Sequence, residues 1–386
     1  MIQLCSDIID ETDITLLRDW LAGVPRLTKG AKTLEFESKF AKFLGSKHAI
    51  YCNSGSSANL LITSGLIQSG KLKNNKIVVP QISWSTTIFP AMQLGLQPIL
   101  CDCDKGNLGI SVDNLKKIIK EENPAAIMLV HVLGFDSNIK QIVDLCKEND
   151  IVLIEDTCES LGSQTDNQNL GTFGFASSFS FYFGHHISTI EGGMVCTDDD
   201  DFADIMKMIR SHGWDRDLSF NKQQKYRDEN DVEGIDSLYT FYYTGFNLRS
   251  TDLQAFLGIN QIDKLKSIIK KRQANYFLYR ELLNNKLWLP TLTTDQNVVS
   301  NMGYPIIVDN RDVLYKELKF QDVECRPLIS GSMGLQPAWK KAYGACHMEN
   351  SDIIDKKGMY LPNHQDLTGD DIEKICYIVN QTTTGK

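Results

Sequence analysis

The chain lacks any run long enough and apolar enough to cross a bilayer as a helix. Its longest nearly continuous apolar segment, residues 124–135 (PAAIMLVHVLGF), is too short. The N-terminal MIQLCSDIIDETD lacks the basic and apolar regions of a secretory leader, so a cytoplasmic location without membrane partners is expected. An excess of positive charge is also missing. The formal net charge is -9, which argues against nucleic acid or an anionic membrane surface as a partner. The basic cluster at 264–272 is expected to be a solvated helix face. The ten cysteines have no disulfide-like or zinc-like spacing. The closest pair, Cys101 and Cys103 in ILCDCD, would share one face of a strand, so reduced thiols in one packed layer are expected and no metal site. The sharpest absence is local. Between Lys147 and Lys207 there is no Lys and no Arg. That stretch contains SFSFYFGHHISTIEGG (178–193), with His185 and His186 side by side.

What is present is a globular composition. With 386 residues, 42% of them hydrophobic, the chain is long enough for two domains. Short β-rich runs alternate with helical segments over the first two thirds. The runs are HAIYCN (48–53), KIVVP (76–80), QPILCDCD (97–104), AAIMLVHVLG (125–134), IVLIEDTC (151–158), SSFSFYF (177–183) and GMVCTDD (193–199). Helical patterns occupy 58–66, 112–122 and 137–149. This alternation predicts an α/β fold: a mostly parallel sheet of about seven strands between helices. The Asp run at 198–201 reads as a solvated turn. After Asp252 comes a long helical segment, with a break expected near Asp263, then short strands such as GYPIIV (303–308) and a final helix. The expected division is a large domain over 1–262 and a smaller C-terminal α+β domain over 263–386, with a connector helix at about 263–285.

Three pieces carry chemistry. NSGSSA (53–58) places Gly55, Ser56 and neighbouring hydroxyls at a helix start, where backbone N–H groups bind anions; an ordinary serine cap looks the same. Trp84, in QISWSTTIFP, sits in a loop after a strand end, where ligands of open α/β sheets lie; it can stack on a planar cofactor or simply pack. IVLIEDTCESLG ends a strand in Glu155 and Asp156. A carboxylate there can pair with a protonated pyridine nitrogen, or cap the next helix.

As a set these pieces resemble the pyridoxal-phosphate (PLP) sugar aminotransferases of the DegT/DnrJ/EryC/StrS family, a branch of the type I PLP-transferase fold. EDTCESLG (155–162), the 178–193 stretch, GFNLR (245–249) and ECRPL (324–328) extend the resemblance over the whole chain. It implies Gly55, Ser56 and Ser180 at the cofactor phosphate, Trp84 on its ring, Asp156 at the pyridine nitrogen and Glu159 at the phenolic oxygen. Asn247 matches a residue that reaches the phosphate from a partner subunit, which implies a homodimer with shared sites. His212, Arg249 and Arg326 are candidates for substrate or glutamate contacts.

His185 stands where the family usually has the lysine that holds PLP as a Schiff base. Imidazole has no primary amine, so it can only move protons. His186 and Glu159 depart from the usual pattern as well. GHHISTIEGG, ESLG, SHGWDRDL (211–218), ECRPLISG (324–331) and NHQ (363–365) resemble a subgroup of the family with an altered reaction. That subgroup removes the C3 hydroxyl of a nucleotide-linked 4-keto-6-deoxyhexose, with GDP the implied nucleotide. L-glutamate converts PLP to pyridoxamine phosphate (PMP), and ammonia is released. A related iron–sulfur group also replaces the lysine with histidine, but the cluster positions that follow Cys158 are here Arg216, Leu218 and Tyr226. No iron–sulfur cluster is implied, and Cys158 reads as a core thiol. The alternatives are a 4-aminotransferase with a substituted lysine and a non-catalytic PLP-binding regulator.

Overall fold

A computed structural model describes residues 1–383. Seven strands form the main sheet: β1 (His48–Cys52), β2 (Lys76–Pro80), β3 (Gln97–Cys101), β4 (Ala126–Val130), β5 (Val152–Asp156), β6 (Ala176–Ser180) and β7 (Gly193–Thr197). Their order is β1-β7-β6-β5-β4-β2-β3, and β7 alone runs antiparallel to its neighbours. Six fall within the expected runs, and β6 begins one residue ahead of its run, at Ala176.

Alternation along each strand sends side chains to two separate cores. Ile77, Val79, Met128, Ile154 and Val195 pack on one face with Leu61 and Ile62 of helix Gly55–Gln68 and Phe202 and Met206 of helix Asp200–Arg210. On the other face, Val78, Ile127, Leu129 and Leu153 meet Leu115, Ile118, Ile139 and Ile142. At the β1 end of that face, Tyr51, Met194 and Cys196 meet Phe36, Phe40, Ala255 and Ile259. Burial on both faces explains why β4 reads as an unbroken apolar run.

Helix Asp252–Leu282 is continuous, so the expected break near Asp263 is absent. Asp263 instead sits on the helix surface and pairs with Lys39 at 2.7 Å. The first half of the helix buries Ile262 and Leu265 against the large sheet. Its second half buries Tyr276 and Tyr279 in another core. That core includes residues of the antiparallel sheet Gly303–Ile307, Gly358–Pro362 and Arg326–Pro327 and of helices Arg311–Phe320 and Gly369–Thr383.

Three local expectations change. Cys101 and Cys103 are both buried, but in different cores, because β3 ends at Cys101 and the chain turns. The Asp run opens a helix: the Asp199 side chain accepts from the Phe202 N–H at 2.7 Å. Arg272 is not solvated; it is among the largest fully buried side chains.

Candidate active site

The carboxyl ends of the parallel strands open into a cavity of about 460 Å³. Ligands of open α/β sheets bind at this edge. Of the expected site residues, the fold brings together Gly55, Ser56, Trp84, Asp156, Glu159, Ser180, His185 and Arg326. Asn247, His212 and Arg249 lie outside the lining. His212 has a left-handed backbone (φ 67°), and its ring lies beside Trp214. Asn247 and Arg249 form isolated backbone bridges with Ser211 and Cys52.

Helix Gly55–Gln68 starts at this edge. Ser54 caps it, accepting from the Ser57 N–H at 3.1 Å, and Gly55 and Ser56 of the first turn line the cavity. Gly55 must be glycine, because a Cβ there would lie 2.6 Å from the Ser180 Cβ and 3.1 Å from the Cys158 sulfur. Gly193 has the same constraint: its Cβ would fall 2.1 Å from the Ser54 carbonyl oxygen. The second glycine of EGG therefore lets β7 pass under the helix start.

Asp156 ends β5. Its Oδ2 accepts from Asn59 Nδ2 at 2.8 Å and Thr87 Oγ1 at 2.9 Å, and its Oδ1 from the Cys158 N–H at 3.2 Å. Asn59 and Thr87 were not singled out from sequence. Their signal is position: one turn into the helix after NSGSS, and three residues beyond Trp84. Glu155 points the opposite way, as strand alternation requires. It is tied to His131 and to the N–H groups of Gly171, Phe173 and Gly174, so it is a structural clamp.

Glu159 is buried and accepts from the Leu133 N–H at 2.8 Å. Burial pushes its carboxyl up to about 8, and the nearby Asp156 pushes the same way. It is therefore largely protonated at neutral pH and able to donate a hydrogen bond. Cys158 lines the cavity and is not a core thiol; burial raises it well above the usual thiol range. Trp84 is 55% exposed, leaving a ring face free for stacking.

The two histidines separate. They lie in a turn, where the His185 N–H donates to the Tyr182 carbonyl at 3.0 Å, and not in an extended segment. His185 lines the cavity, and its Nδ1 has no hydrogen-bond partner among the described residues. Burial holds its imidazole down to about 4; Asp156 opposes this shift and Arg272 adds to it. His186 is fully buried, with Nε2 2.9 Å from the Ser300 carbonyl. Among the described residues lining the cavity there is no lysine, and the only Arg is Arg326.

The chain's N-terminus and small sheet complete the wall through Leu4, Cys5, Met302 and Tyr360, none of which carried a sequence signal. Glu324 joins these parts: it accepts from the Leu4 N–H at 3.0 Å and pairs with Arg326 at 2.6 Å.

The model of the DegT/DnrJ/EryC1/StrS aminotransferase family matches residues 7–380. The chain belongs to that family. One relative in it, the GDP-4-keto-6-deoxy-D-mannose 3-dehydratase of Yersinia pseudotuberculosis, is 32% identical over 98% of both chains. A solved structure of GDP-4-keto-6-deoxymannose-3-dehydratase with a trapped PLP–glutamate geminal diamine superposes with a TM-score of 0.89. Identity there is 31%, covering 98% of this chain and 100% of that one. A His→Asn mutant of that enzyme with bound GDP-perosamine has a TM-score of 0.90 and 30% identity, with the same coverage.

The donor set fits PLP. It comprises an anion-binding helix start that a Cβ at Gly55 would crowd, an exposed indole face, a carboxylate held by three donors, and a protonated carboxyl.

Proposed function

We propose that this protein is a PLP/PMP-dependent nucleotide-sugar 3-dehydratase, with GDP-4-keto-6-deoxy-D-mannose its substrate. One observation carries the reading: a cavity fit for PLP offers an uncharged imidazole at the family's lysine position and no lysine elsewhere in its lining. Without a primary amine the chain cannot hold the cofactor covalently. It holds it through Gly55, Ser56 and Ser180 at the phosphate, Trp84 on the ring, Asp156 at the pyridine nitrogen and Glu159 at the phenolic oxygen. The bound cofactor supplies an electron sink and carries the amino group.

The balance is fixed by chemistry. L-glutamate gives its amino group and two electrons and leaves as 2-oxoglutarate. The sugar loses its C3 oxygen, and the nitrogen leaves as ammonia. His185, uncharged near neutral pH, takes and returns the proton at the cofactor's C4′ carbon, a role worth roughly 10²–10⁴-fold in rate. His186 is the control, since its ring is spent on Ser300. Arg326 is the available cation for the substrate's diphosphate or for glutamate.

The working unit in this reading is a homodimer in the cytoplasm. Asn247 is exposed and outside its own chain's cavity, which suits a residue serving the partner's phosphate site. Nearby Ile235, Leu238, Tyr239 and Phe241 are also exposed, a patch that a second copy would cover.

The test is incubation with GDP-4-keto-6-deoxymannose, PLP and L-glutamate. Free ammonia and a 3-deoxy sugar are expected. An amino sugar would mean an aminotransferase, and no turnover a non-catalytic PLP-binding protein.

A further inference from the structure

Arg272 is buried to 2% exposure, and its side-chain hydrogen bonds among the described residues all go to backbone carbonyls, none to a carboxylate. Its Nη1 donates to the carbonyls of Asn301 at 3.0 Å, Met302 at 3.2 Å and Asn363. Its Nη2 donates to the His185 carbonyl at 3.3 Å, and its Nε is unpartnered. Burying a cation with only carbonyls around it is costly, and burial lowers the guanidinium to about 10. The acceptors join two parts of the molecule: the turn bearing His185, and the segments that enter and leave the small antiparallel sheet. The same turn is fastened a second time, since His186 meets Ser300.

We propose that Arg272 is a positioning residue for His185: its guanidinium pins the histidine's turn to the small sheet. This rests on the dehydratase reading, in which His185 is the base. Titratable groups reach the cavity around the ring from several elements. Asp156 and Glu159 approach from the end of β5, Glu191 from the start of β7, and Arg326 from the small sheet. The thiols Cys5 and Cys158 and the phenols Tyr182 and Tyr360 complete the titratable lining. Arg326 has a carboxylate partner in Glu324, whereas Arg272 has none in direct contact, Asp366 acting on it only from further away, and it donates to the His185 carbonyl. Removing it should make the imidazole easier to protonate.

The test compares Arg272→Met, which removes the charge, with Arg272→Lys, which keeps it. In the PLP-loaded protein, glutamate-driven conversion of PLP to PMP is followed by absorbance across pH. Arg272→Met should lower kcat by roughly 10²-fold, the scale of a misplaced catalytic group, with little change in the KM for glutamate. Its acid limb should move to higher pH. Arg272→Lys should recover part of the rate and leave the limb in place. In the cofactor-free chain, ring-labelled histidine NMR, with the His185 signal identified by its loss in His185→Asn, should show the same upward shift in Arg272→Met alone. A folded Arg272→Met that keeps the wild-type kcat, or whose His185 titration is unmoved, overturns the proposal. So does failure of both variants to fold, which would make Arg272 purely structural. A wild-type chain that cannot convert PLP with glutamate would instead sink the dehydratase reading itself.

Discussion

Glu159→Gln offers the most quantitative check on the site. In the folded chain the Glu159 carboxyl is raised from 4.5 to about 8, chiefly by burial. A carboxyl raised in this way keeps its proton in the folded state while the unfolded chain releases it. Its contribution is full below the unfolded value and is lost as pH rises through the window up to the folded one. From about pH 5 to about pH 8, linkage puts this loss at about 3–4 kcal/mol. Glutamine stays neutral and can still accept from the Leu133 N–H. The cofactor-free variant should therefore match wild type in melting temperature near pH 5 and exceed it near pH 8. With an unfolding entropy of about 2.1 cal/mol/K per residue, the gain is roughly 4 °C. His185 acts in the opposite direction. Its lowered value makes stability fall as pH drops below its ordinary 6.5 toward about 4. Because both proteins carry that term, subtracting one profile from the other removes it. Calorimetry across pH is the assay. Parallel profiles would refute the argument, since Glu159 would then be ionised when folded and have no proton to donate. PLP should still bind the variant, because an amide N–H also donates to a phenolic oxygen.

Other substitutions probe the remaining parts. His185→Asn should keep fold and cofactor binding but slow both half-reactions by roughly 10²–10⁴-fold; near-wild-type turnover would assign the base elsewhere. His185→Lys should create a borohydride-reducible link between PLP and the chain, detectable by mass spectrometry, with dehydration largely lost. In the wild-type protein PLP should leave on dialysis and yield no such link; a reduced adduct on the native chain would contradict the non-covalent reading. Gly55→Ala should press on Ser180 and cost about 1–3 kcal/mol of cofactor binding, roughly 5- to 150-fold in Kd, readable by fluorescence titration.

Much of this molecule is determined by local order along the chain. The strands follow from apolar runs buried on both faces, and the site's position follows from motifs at their carboxyl ends. The missing primary amine is a matter of composition, because a 59-residue stretch without Lys or Arg, residues 148–206, supplies β5, β6, β7 and the His185 turn. Other features depended on contacts between residues far apart in sequence. Arg272 looks like any cation on a basic helix, and only the convergence of Asn301, Met302 and Asn363 buries it. Cys101 and Cys103 share a strand face in an ideal register, yet the chain turns between them and sends them to different cores. Gly193 is required by the Ser54 carbonyl, 139 residues earlier in the chain. Leu4, Cys5 and Tyr360 reach the cavity because the N-terminus and the small sheet fold back over the large one. Periodicity records which face of an element is buried. It does not record what is buried against it, and that pairing decides which residues surround His185.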